Sequence, residues 1–151
     1  MSFLHKLENL KTRDIVAGAV IRRLSDGKIL LLQRAKEDHY PLFWEFPRGH
    51  VKAGEEFFTG LKREVKEETN LVVVPVAKLG NFYYVCENET QKTIQKNFYC
   101  ILRDEEQEIK ISKEHNYYKW VGTKIEALLM CEDKLIKYVF NSFDIPLDKY
   151  S

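Results

Sequence analysis

The most constraining stretch of the chain is Gly49 to Leu71, which contains a segment whose charged and apolar residues follow the period of a helix. Glu55 to Thr69 is helix-forming in composition, and Phe58, Leu61 and Val65 fall at i, i+3 and i+7, a narrow apolar stripe for a core. Gly60 weakens that helix by about 1 kcal/mol relative to Ala. Asn70 stands where a left-handed C-terminal residue is expected. Glu64, Glu67 and Glu68, at i, i+3 and i+4, share one face within an arc of about 100° beside the stripe. Like charges at these spacings oppose the helix by roughly 0.2–0.5 kcal/mol per pair, and a face beside a buried stripe is only partly solvated, so a positive partner is expected there. Arg63 and Lys66 are expected to leave the helix in other directions. A cluster of oxygen ligands without Cys or His suits Mg²⁺ or Mn²⁺ rather than zinc.

On either side of the helix the pattern is that of strands. Asp14 to Leu24 and Lys28 to Gln33 are β-rich runs joined by Ser25-Asp26-Gly27, a turn signal. His39-Tyr40-Pro41 marks a loop, and a short strand at Trp44 is expected to stop at Pro47. Further strands are expected at Leu71 to Val76, broken by Pro75, and at Lys78 to Cys86, Thr93 to Leu102 and Tyr117 to Val121. Thr123-Lys-Ile-Glu126 has capping-box spacing and begins a helix, with another over about Asp133 to Ser142. This order predicts an α/β fold in which a mixed β-sheet is covered by helices. With 151 residues and 44% hydrophobic content, residues 1–151 are expected to form one domain.

Charge excludes some functions. Lys and Arg number 24 against 23 Asp and Glu, so the broad attraction of a nucleic-acid or acidic-membrane binder is missing. No stable nucleic-acid complex and no membrane association are expected, and the chain is expected to be a monomer or homodimer. Cys86, Cys100 and Cys131 are odd in number and widely spaced, which argues against a disulfide framework and a structural zinc site. With no export signal and no span of about 20 apolar residues, a cytoplasmic location is expected.

The window also fits Gly-x5-Glu-x7-Arg-Glu-U-x-Glu-Glu-x-Gly-U, where U is bulky and aliphatic. By this signature the chain resembles the Nudix (MutT-like) hydrolases. Gly49, Glu55, Arg63, Glu64, Val65, Glu67, Glu68 and Leu71 match, and Asn70 replaces a glycine. The resemblance implies the Nudix fold, a mixed sheet sandwiched between helices (α/β/α), and hydrolysis of a nucleoside diphosphate linked to another moiety by water attack at phosphorus. It implies that Glu64, Glu67 and Glu68, with the Gly49 carbonyl, hold Mg²⁺ or Mn²⁺. Arg63 would orient the first glutamate, and Glu55 would steady the loop before the helix. For the general base Glu64 is favoured, with Glu105, Glu106, Glu108 and Glu114 as alternatives, although Asp104-Glu105-Glu106 reads more simply as a solvated turn.

The segments Phe46-Pro47-Arg48-Gly49-His50 and Glu114-His115-Asn116-Tyr117-Tyr118-Lys119-Trp120 resemble the asymmetric diadenosine tetraphosphate hydrolase type. That resemblance implies a substrate cleaved to ATP and AMP, with Arg48 on phosphate and Tyr118 stacked on adenine. Tyr83 or Tyr84 is a candidate for the other ring face, and Lys92 or Lys96 for a distal phosphate. The alternatives are a (d)NTP pyrophosphohydrolase, an RNA 5′ pyrophosphohydrolase and a non-catalytic nucleotide-binding module. Trp44 and Trp120 are expected in the core.

Overall fold

The computed structural model describes residues 12–37, 42–85 and 92–122. The two helices expected from Thr123 onward lie outside these residues, as do His39, Cys86 and Cys131. The elements are β1 (Thr12–Arg22), β2 (Ile29–Arg34), β3 (Trp44–Glu45), β4 (Arg48–His50), α1 (Phe57–Thr69), β5 (Val73–Val85), β6 (Lys92–Leu102) and β7 (His115–Val121). The strands form one mixed sheet in the order β3-β2-β1-β6-β5, with β4 beside β1 and β7 beside β2. Strands β1 and β6 run parallel, while β4 pairs antiparallel with β1 and β7 antiparallel with β2.

Strand alternation divides the core between the two faces of the sheet. Ala17, Ala19 and Ile21 of β1 and Leu30 and Leu32 of β2 pack with Leu61 and Val65 of α1. Val20, Ile29, Leu31, Phe46, Tyr99 and Val121 form a second cluster. Trp44 packs against this second cluster and Trp120 against the first, both half-buried at the margin of the core in which they are expected.

Three local expectations need correction. The helix begins at Phe57 rather than Glu55, because Glu56 caps it with an extended backbone, accepting the amides of Phe58 and Thr59 at 3.0 and 2.9 Å. Phe58 is 39% exposed and stands edge-on to Phe57 and Phe98, so Phe57, not Phe58, continues the stripe of Leu61 and Val65. Residues 73–85 form one strand instead of two. Its register shifts at Pro75/Ala77 and Lys78/Gly80 absorb the proline, which an edge strand tolerates.

Two features of α1 have direct physical causes. Asn70 closes it in the left-handed conformation (φ 67°), donating its amide to the Lys66 carbonyl at 2.9 Å. Gly60 is needed for close approach: a Cβ there would lie 2.8 Å from Glu55 Oε1 and 3.2 Å from both Val51 methyls. The helix thus accepts a poor helix former so that the preceding loop can close over it.

Candidate active site

The short strand β3 ends before Pro47 as expected, and a further strand not anticipated, β4, carries the segment Arg48–His50 onto the sheet, with Gly49 opposite Ala17 of β1. The loop after β4 returns to α1 through Arg63. Its Nε and Nη2 donate to Glu55 at 2.8 and 3.0 Å, Nη2 donates to the His50 carbonyl at 2.9 Å, and Nη1 donates to Glu64 at 3.0 Å. Nη1 also reaches Glu67 Oε2 at 3.1 Å. Glu55 in turn accepts the Lys52 amide at 3.0 Å. The Arg63 hydrogen bond and the Lys52 amide hold the Glu55 carboxyl down at about 2. Arg63 therefore stands among the carboxylates, contrary to the expectation that it leaves the helix elsewhere, because its long stem folds back toward Glu55.

Glu64 and Glu68, one helical turn apart, line a cleft of about 380 Å³ between α1 and the sheet. A Cβ at Gly49 would sit 2.0 Å from Glu64 Oε2, so glycine is what lets this carboxylate lie on the β4 backbone. Desolvation raises the Glu64 carboxyl, opposed by Arg63. Glu68 is 4% exposed, and its Oε2 has no hydrogen-bond partner. Desolvation, then the charges of Glu45, Glu64 and Glu114, drive its carboxyl up to about 9, against the backbone amide of Arg48. Glu67 lies outside the cleft lining, its side chain 56% exposed against Arg63. As the side chains stand, no group of three or more His, Cys, Asp or Glu residues among those described is gathered to hold a metal ion. Glu64 and Glu67 both accept from Arg63 Nη1.

The remaining lining is Val16, Arg34, Glu45, Arg48, Gly49, His50, Glu114 and His115. Glu45 Oε2 accepts from Arg34 Nε at 2.9 Å and pairs with Arg48 Nε at 3.2 Å, while Oε1 lies 2.8 Å from His115 Nε2. Arg48 Nη1 also donates to Gln95 Oε1 at 3.2 Å. The cleft thus combines carboxylates from α1 with cationic side chains from the strands, which suits a polyanion held together with a cation.

The described chain also matches a known sequence family. The NUDIX domain model matches residues 12–134. The chain belongs to the Nudix family. Its relatives include the 8-oxo-dGTP diphosphatase of Buchnera aphidicola subsp. Schizaphis graminum, 31% identical over 112 residues, 74% of this chain and 78% of that protein. They also include the asymmetrical bis(5′-nucleosyl)-tetraphosphatase of Mus musculus, 30% identical over 114 residues, 73% and 74% of the two chains. The crystal structure of a MutT protein from Methanosarcina mazei Go1 superposes with a TM-score of 0.73 at 28% identity, covering 92% of this chain and 98% of that one. The Nudix chain is accordingly a pyrophosphohydrolase of an α/β fold, in a family whose members act on small nucleotides and generally use divalent metal ions.

Within this Nudix domain, Arg48, Gly49, Glu64 and Glu68 meet at the cleft, and Glu55 and Arg63 support it from behind. Glu114 lies at the cleft beside Glu64 and Glu68, whereas Glu105, Glu106 and Glu108 do not line it. Glu105 instead accepts the Leu24 amide at 2.7 Å, and the Glu106 amide donates to Asp104, the turn expected there. Tyr83, Lys92, Lys96 and Tyr118 do not line the cleft either. Lys92 Nζ stands 5.8 Å from the Tyr83 ring centroid and Lys96 Nζ 5.7 Å from that of Phe57, while Tyr118 is an exposed residue of β7. The Tyr84 side chain lies outside what is described. Arg34, Glu45, His50 and His115 have no assigned role from the sequence reading, yet all line the cleft.

Among the described residues no helix is long and apolar enough to cross a membrane.

Proposed function

We propose that this Nudix protein hydrolyses dinucleoside polyphosphates in a metal-dependent reaction, with diadenosine tetraphosphate cleaved to ATP and AMP by water attack at phosphorus. The observation that carries the proposal is that the Glu64 and Glu68 carboxylates and the Arg34 and Arg48 side chains line one cleft. A polyphosphate needs cations on both sides, and here guanidinium groups supply one side while the acidic side calls for metal.

The residues fit a divalent cation. Glu68 Oε2 is buried without a partner, and the strong rise of its carboxyl reflects a charge that the bare protein does not compensate. Glu64, Glu67 and Glu68 with the Gly49 carbonyl are the proposed ligands, all oxygen donors. When bound, the cation supplies neutralisation of phosphate charge and stabilisation of the leaving oxygen. Arg48 and Arg34 bind phosphate oxygens. Arg63, fixed by Glu55, orients Glu64, the proposed base for the attacking water.

A second substrate class has its own support in the relative that is an 8-oxo-dGTP diphosphatase, at identity equal to that of the tetraphosphatase within one per cent. The test is a panel of diadenosine tetraphosphate, (d)NTPs including 8-oxo-dGTP, and RNA bearing a 5′ triphosphate, each with Mg²⁺ and with products resolved by chromatography. Highest kcat/KM on diadenosine tetraphosphate supports the proposal. Preference for a dNTP with release of pyrophosphate overturns it, and binding without turnover would assign the domain to nucleotide sensing.

A further inference from the structure

The proposed reaction leaves Glu45 without a task, although it is a carboxylate 5% exposed at the wall of the cleft. Its position follows from strand alternation. Trp44 and Phe46 pack into the core cluster on one face of the sheet, so Glu45 between them turns to the other. Register does the rest: Glu45 lies opposite Leu32, and Arg34, two residues further along β2, lies opposite His115 of β7. Strands β2, β3 and β7 thereby deliver a cation, a carboxylate and an imidazole to one point, and β4 adds Arg48.

Such a cluster is a costly way to stabilise a fold. A buried ion network replaced by apolar residues of similar volume is often neutral or more stable, so the arrangement asks for another use. Both arginines reach Glu45 through Nε, the elbow of the guanidinium, and Arg48 is further fixed by Nη1 donating to Gln95 Oε1 at 3.2 Å. Desolvation would raise the Glu45 carboxyl, but the His115 hydrogen bond and the charges of Arg48 and Arg34 outweigh it and keep Glu45 ionised. With three partners on its two oxygens, Glu45 is poorly placed to serve as a metal ligand as well.

We propose that Glu45 is the positioning residue of the phosphate site, holding Arg34 and Arg48 through Oε2 and His115 through Oε1 so that a polyphosphate meets guanidinium groups already oriented. The proposal rests on reading the cleft as a nucleoside polyphosphate site. Tethering the arginines beforehand removes side-chain entropy that substrate binding would otherwise have to overcome.

The test uses the full chain with Glu45→Gln, Glu45→Asp, Arg48→Met and the Glu45→Gln/Arg48→Met double variant. Kinetics are measured on the best substrate of the panel, and inorganic tripolyphosphate binding with Mg²⁺ is measured by calorimetry. Glu45→Gln raises KM and the tripolyphosphate Kd by about tenfold, with kcat within about threefold and half-saturating Mg²⁺ unchanged, because orientation and not metal is lost. The double variant binds more weakly than Arg48→Met alone but by less than the two single effects combined, since Glu45 acts through Arg48 and also through Arg34. Unchanged KM and Kd in a folded Glu45→Gln variant, additive effects in the double variant, or a displaced Mg²⁺ requirement would each overturn the proposal. Should Glu45→Gln not fold by circular dichroism, Glu45→Asp, too short to keep all three partners, must still raise KM; an unchanged KM refutes positioning. If the parent protein turns over nothing in the panel, the functional reading fails, while the tripolyphosphate arm still decides the role of Glu45.

Discussion

Arg63 grips Glu55 through both Nε and Nη2, at 2.8 and 3.0 Å, and so ties the loop after β4 to the helix that carries Glu64. Removing that grip should disorder the placement of Glu64 without dismantling the sheet. Glu55→Gln, which keeps the shape and loses the charge, is expected to lower kcat by about 10- to 100-fold with little change in KM. Steady-state kinetics on the panel substrate check this.

The same pair sets a pH dependence. The Glu55 carboxyl is depressed from 4.5 to about 2, so the stabilisation from its pairing is present above 4.5 and is lost as pH falls toward 2. Carbon-detected NMR titration of the Glu55 carboxyl should give a midpoint well below those of ordinary glutamates. In Arg63→Met that midpoint should return toward 4.5.

Glu68 behaves in the opposite sense. Its carboxyl is raised from 4.5 to about 9, so the native state binds this proton more tightly than the unfolded chain does. Metal-free protein should therefore lose stability as pH rises from 4.5 toward 9. Glu68→Gln should flatten that decline and raise Tm at pH 8.5 by about 2–4 °C in chelator. The same variant should lower kcat by at least about 10²-fold, as expected when a proposed metal ligand is neutralised. Thermal melts at two pH values, with and without Mg²⁺, read the first effect.

Gly60→Ala puts two opposing effects in direct competition. Helix propensity favours alanine by about 1 kcal/mol, but the new Cβ would lie 2.8 Å from a Glu55 oxygen that the Lys52 amide and Arg63 both hold. The expected net result is a lower Tm and a lower kcat together, since relief of the clash must displace Glu55. A Tm above that of the parent would show that the loop yields freely.

How legible the site is in the sequence depends on how local its geometry is. Glu64, Glu68, Leu61 and Val65 are read from helical spacing alone, and Asn70 from its tolerance of a left-handed backbone, because those features arise within one turn of chain. The cationic wall is different. Arg34, Glu45 and His115 meet only because Leu32 registers with Glu45 and Arg34 with His115, a coincidence of three strands that no local period encodes. One local cue did exist: Glu45 sits inside the aromatic run Phe43-Trp44-Glu45-Phe46, and a lone acid in such a run must be buried with partners. Pro75 misled because an edge strand accommodates proline, whereas the short strand β3 does end before Pro47 and the chain pairs again as β4.

The most direct test of the account is the product analysis of diadenosine tetraphosphate incubated with the protein and Mg²⁺, with Glu68→Gln in parallel. The account predicts equal amounts of ATP and AMP, at a kcat/KM above that for any dNTP, and loss of turnover in the variant. Two molecules of ADP, no turnover, or faster release of pyrophosphate from a dNTP would contradict it.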